Sequence, residues 1–138
     1  MPTLTRVFIK TSFVYLALAL ITGLLLALQP LLNLSALGGL FPIYIHLLVF
    51  GWLTQLVFGV VYWMFPKYSA ATPRGSEPLG WWTYGLLNAG LILRAIAEPV
   101  QAVQPNPLTG WTLVVSALLQ FLSGVTFVRN SWKRVRVK

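Results

Sequence analysis

Four long apolar runs, separated by short stretches of proline, glycine and charge, organise this chain: about Val7 to Leu28, Ile43 to Phe65, Leu79 to Ala97 and Trp111 to Val128. Each is close to the ~20 residues that a helix rising ~1.5 Å per residue needs to cross ~30 Å of hydrocarbon. The pattern predicts an all-α fold, an integral membrane four-helix bundle that takes up residues 1–138 as one transmembrane domain. Too few residues remain outside the runs for a separate soluble domain. The punctuation fits this division. Pro30 is expected to close the first helix, Gly38-Gly39 and Pro42 to reset the backbone before the second, and Pro66 to end it, because proline lacks the N–H that a helix interior needs. Ser76-Glu77-Pro78 reads as a helix start, with an acid near the positive end of the helix dipole. Pro99 and Pro105-Asn106-Pro107 are expected to form a short loop at the opposite side.

Composition narrows the class further. Of 138 residues 57% are hydrophobic and 9% charged, and the mean hydropathy of +0.77 excludes an isolated soluble domain of this size. The net charge of +8 is unevenly distributed. Arg6 and Lys10 flank the first run, Lys67 and Arg74 lie between the second and third, and Arg129, Lys133, Arg134, Arg136 and Lys138 follow the fourth. The other two connections carry no Lys or Arg, so the positive-inside rule places both termini in the cytoplasm and the chain in the inner (cytoplasmic) membrane. The lipid bilayer is then the first partner, with anionic headgroups facing the basic side. A nucleic-acid partner is not expected, because the basic tail is short and directly juxtamembrane. The first run continues into Gln29-Pro30 without a small-residue cleavage site and reads as a span rather than a signal peptide. Cysteine is absent, which excludes thiolate metal sites and disulfides. Tyr62, Trp63, Trp81, Trp82, Trp111 and Trp132 fall near the ends of the runs, as interfacial anchors do.

Polar residues inside the runs carry the candidate chemistry. His46 is the sole histidine, and by 100° steps it shares a face with Pro42, Val49, Phe50, Leu53 and Val60. Gly51, Gln55 and Gly59 repeat at four-residue spacing on another side, a pattern that lets a neighbouring helix approach closely. In the third run Gly90, Arg94 and Glu98 share a stripe, with Asn88 elsewhere. A guanidinium at that depth needs a partner or an interface. Ser12, Tyr15, Thr22 and Gln29 in the first run, and Ser116, Gln120 and Ser123 in the fourth, are lines of polar groups suited to bonds between helices. His46 and Arg94 each lie about one turn below the same surface, so they occupy one layer. Two arrangements follow. In one, His46 ligates a heme iron while Arg94 faces a propionate; in the other, Arg94 pairs with Glu98 four residues on and His46 hydrogen-bonds a neighbouring helix.

The segment His46-Leu47-Leu48-Val49-Phe50-Gly51-Trp52, followed by Phe58-Gly59-Val60-Val61-Tyr62-Trp63-Met64-Phe65-Pro66, resembles the second transmembrane helix of subunit I in the heme-copper oxidase superfamily. The resemblance covers about a quarter of the chain. It implies that His46 is an axial ligand of heme b, with Phe50 and Leu53 beside the macrocycle and Arg94 as a looser match to a propionate partner. The departures are equally informative. Family subunits carry further histidines for copper and a second heme, whereas no second histidine exists here, so the chain is not expected to be an oxidase on its own. Glu77 and Glu98, read as helix-end residues, leave no carboxylate for proton pumping. The family fold repeats a four-helix group, and this chain is similar to one such group. A homo-oligomer, dimeric or trimeric, would bring copies of His46 together, giving either a heme shared between protomers or one heme per protomer with an open position for nitric oxide or oxygen. Electron transfer with a redox partner, or gas binding, is the function this implies. A cofactor-free accessory subunit beside larger respiratory subunits, a small anion transporter using Arg94, and a quinone site near His46 stand as alternatives.

Overall fold

The computed structural model describes residues 1–32, 39–70 and 72–135. Gly38, Arg136 and Lys138, given roles above, lie outside the described residues. Five α-helical segments follow one another: α1 (Thr3–Leu32), α2 (Phe41–His46), α3 (Gln55–Met64), α4 (Glu77–Val103) and α5 (Pro107–Ser131). A π-helical stretch, Leu47–Thr54, joins α2 to α3 without a break, so Phe41–Met64 is one rod. α1, this rod, α4 and α5 are thus four helices long and apolar enough to cross a bilayer. The architecture is that of a multi-pass membrane protein.

Several boundaries differ from those expected. α1 runs two residues past Pro30, and α4 passes through Pro99 to Val103. A proline costs a helix its own N–H and a clash with the preceding turn, but near a helix end little of the ladder is lost. α5 starts at Pro107, with Asn106 as its cap: the Asn106 side chain accepts from the Thr109 N–H at 2.9 Å, and proline occupies the first turn, where its missing N–H is harmless. Ser76 caps α4 as its sequence suggests, accepting from the Leu79 N–H at 3.4 Å.

α1 buries a single stripe, Leu4 together with Thr5, Phe8, Ser12, Tyr15 and Ala19, the last five alternating three- and four-residue steps as a 3.6-residue turn requires. The rod opposite buries Ile43, Leu47, Gly51, Gln55 and Gly59, five residues at strict four-residue spacing. In a pure α-helix each four-residue step drifts ~40°, so such a stripe would wind away from its neighbour. The π-helical stretch, with more residues per turn, turns that drift back and keeps the stripe on α1. Glycine allows the contact to be close. A Cβ on Gly51 would stand 2.7 Å from Tyr15 Cγ, and one on Gly59 would stand 2.7 Å from Phe8 Cβ. Phe13, Leu20, Leu24, Phe121 and Val125 on the outer sides of α1 and α5 remain exposed, as lipid-facing residues do.

α4 and α5 are joined by a ladder of side chain to backbone bonds. Ser116 Oγ donates to the Gly90 carbonyl and Ser123 Oγ to the Thr83 carbonyl, both at 2.7 Å, while the Thr83 and Thr126 hydroxyls meet at 2.9 Å. The polar line on α5 therefore bonds across helices at Ser116 and Ser123. On α1 the line divides: Ser12 and Thr22 donate to carbonyls of their own helix, whereas Tyr15 Oη reaches Asn88 Oδ1 on α4 at 2.9 Å.

Candidate functional site

At the end of the bundle where α2 begins, three ionisable side chains converge. Glu98 Oε1 lies 3.0 Å from an Arg94 terminal nitrogen and 3.3 Å from His46 Nδ1. Arg94 also donates from Nε to Ser116 Oγ at 3.2 Å, and Gln120 donates to the same hydroxyl at 3.3 Å. His46 Nδ1 is 2.8 Å from the Pro42 carbonyl, an acceptor one turn earlier in its own helix. Thus α2 supplies the imidazole, α4 the arginine and the acid, and α5 the hydroxyl that orients the guanidinium.

The geometry brings His46 and Arg94 together through Glu98, which the sequence reading set at a helix end and gave no central part. Continuation of α4 past Pro99 corrects that placement: Glu98 is an interior residue of the helix and is 9% exposed. Its second oxygen, Oε2, is buried without a hydrogen-bond partner among the described residues. The signal available was the four-residue spacing from Arg94, which places the two groups on one helix face. The Arg94–Glu98 pair expected in one of the two arrangements is formed, while the hydrogen bond of His46 goes to its own helix rather than to a neighbouring one. Asn88 is one and a half turns deeper, bonded to Tyr15, and takes no part.

His46 makes no hydrogen bond at Nε2 among the described residues, and 23% of its side chain is accessible. Its ring stacks on Phe50, with centroids 5.8 Å apart and an interplanar angle of 17°. Val49 and Leu53, at 38% and 49% exposure, continue an apolar surface beside it. Of the candidate residues, Leu53 is exposed, His46 is partly accessible and Phe50 is half-buried, packed against the interior cluster. A histidine whose Nδ1–H is held by a carbonyl or a carboxylate has its ring oriented and its tautomer fixed, and Nε2 then carries the lone pair that a metal takes. The site fits a heme iron in that respect. Among the described residues no group of three or more His, Asp or Glu side chains is arranged to hold a bare metal ion. No family model, curated protein or solved structure matches the chain.

Proposed function

We propose that this chain is a heme b-binding membrane protein, with both termini in the cytoplasm and in the inner membrane, and that it acts in electron transfer. The observation that supports this reading most is the His46 ring: Nδ1 is anchored on the Pro42 carbonyl beside Glu98, Nε2 has no hydrogen-bond partner among the described residues, and the side chain is partly accessible near the exposed Val49 and Leu53. His46 would hold the iron, with Phe50 and Leu53 against the porphyrin face. Because His46 is accessible only beside exposed residues such as Val49 and Leu53, the macrocycle would lie between two copies of the chain, each giving one imidazole. Heme supplies a one-electron couple, and an iron held by two histidines suits electron transfer better than gas binding. Glu98 and the Pro42 carbonyl at Nδ1 would hold the imidazole ring in one orientation, and Arg94, itself bonded to Ser116, orients that carboxylate.

A second reading draws on the same residues. The Arg94–Glu98 pair, with Ser116 on Arg94 Nε, needs no cofactor to form, which suits a cofactor-free accessory subunit of a respiratory complex. The two are separated by the absorption spectrum of protein purified from membranes. The heme reading expects a Soret band that His46→Ala abolishes while the variant remains folded by circular dichroism. A colourless, folded wild-type protein that stays colourless after hemin is added would rule it out.

A further inference from the structure

The opposite end of the bundle carries a second feature. Pro2, Leu4 of α1, Tyr68, the segment from Thr72 into the start of α4 at Leu79, and Arg129, Asn130 and Lys133 at and just past the end of α5 enclose a cleft of about 710 Å³. Its shape is fixed by a clamp. Asn130 Oδ1 accepts from the Ser76 N–H at 2.8 Å and Asn130 Nδ2 donates to the Ser76 carbonyl at 3.1 Å. Gly75, at φ +77°, makes the turn that brings the connection this close, and a Cβ there would stand 2.6 Å from Asn130 Oδ1. The clamp holds Arg74 on the same cleft as Arg129 and Lys133. These three cations make no ion pair among the described residues, Arg74 Nε is buried without a hydrogen-bond partner, and Glu77 is the sole acid on the rim.

Directly beside it runs an apolar groove of about 700 Å³ along the outer face of α5, lined by Phe121, Gly124, Val125, Val128 and Trp132, with Arg129 and Lys133 shared by both spaces. Gly124 makes the notch: a Cβ there would meet nothing within 4 Å. A basic, hydrogen-bonding cleft that shares Arg129 and Lys133 with an apolar groove on an exposed helix face matches one chemistry, a phosphate ester attached to a hydrocarbon chain. We infer that this end of the bundle holds an anionic phospholipid, its phosphate between Arg74, Arg129 and Lys133 and one acyl chain along Gly124. Guanidinium groups suit the phosphate by bidentate bonding, and the anionic headgroup offsets three cations that form no ion pair with a carboxylate among the described residues.

The test is lipid retention. The full chain is purified in detergent, mixed with phosphatidylglycerol or phosphatidylcholine of matched acyl length, and examined by native mass spectrometry. Retention of phosphatidylglycerol is expected to exceed that of phosphatidylcholine, and each of Arg74→Gln, Arg129→Gln and Lys133→Gln is expected to lower the preference about fivefold. Gly124→Leu, placed in open space, is expected to lower retention with the charges intact. Equal retention of the two lipids by wild type, or a preference untouched by the three neutral variants, would overturn the inference. Competition by inorganic phosphate together with no effect of Gly124→Leu would overturn it too, by assigning the cleft to free phosphate.

Discussion

Arg134 folds back onto the end of α3 and is 1% exposed. Its Nε donates to the Pro66 carbonyl at 3.1 Å, and one terminal nitrogen donates to the Tyr62 and Phe65 carbonyls at 3.1 and 2.8 Å. These are carbonyls that a helix C-terminus leaves without intrahelical donors, and the positive charge also complements the dipole there. Arg134→Ala is expected to lower stability by about 3 kcal/mol, read from thermal unfolding in detergent, and Arg134→Lys to recover little, since an ammonium cannot span three carbonyls with a planar fork. No loss on Arg134→Ala would show that the cap is dispensable. Gln55 makes the opposite case. It is fully buried against α1, and neither atom of its amide has a partner among the described residues. An unsatisfied buried amide costs about 1–3 kcal/mol, so Gln55→Met is expected to raise the unfolding midpoint. A lowered midpoint would mean that the amide is hydrogen-bonded in the folded protein. Neither role was legible in the sequence: Arg134 sits among basic neighbours that read alike as interfacial charge, and Gln55 differs from a lipid-facing polar residue only in what stands opposite.

At the scale of elements, the four spans and the small-residue seam were legible because both depend on periodicity. Gly51, Gln55 and Gly59 do face α1, as their spacing suggests. Winding was not legible. Leu47–Thr54 contains no residue that marks a π-helix, and its cause is tertiary: a stripe spaced by four must stay in register with α1. The consequence is testable by a contrast between glycines. Gly59→Val drives a side chain into Phe8 and is expected to cost about 2 kcal/mol in the same unfolding measurement. Gly85→Ala, with nothing within 4 Å, is expected to be neutral or to add up to about 1 kcal/mol through helix propensity. Equal effects at the two positions would contradict close packing of the rod on α1. The extent of α4 was also misjudged, because a proline near a helix end reads as a stop. The Arg94–Glu98 pair was nevertheless legible from its four-residue spacing; the approach of His46 to Glu98 from another helix was not.

The whole molecule is polarised. Arg74, Arg129 and Lys133 gather at one end with the start of α1, whereas His46, Arg94 and Glu98 gather at the other. In between, the interior is a packed seam of Tyr15, Ala19, Leu47, Leu87 and Leu91. A heme held by His46 as proposed would lie at the surface of one chain and between two, which would tie cofactor binding to oligomerisation. The most direct measurement is the heme content and electron paramagnetic resonance spectrum of the purified oligomer, taken oxidised and then after reduction with nitric oxide added. The heme account predicts one heme per two chains, a low-spin ferric signal and no change with nitric oxide. Heme in equal number to the chains with a high-spin signal, or no heme in a folded dimer, would contradict it.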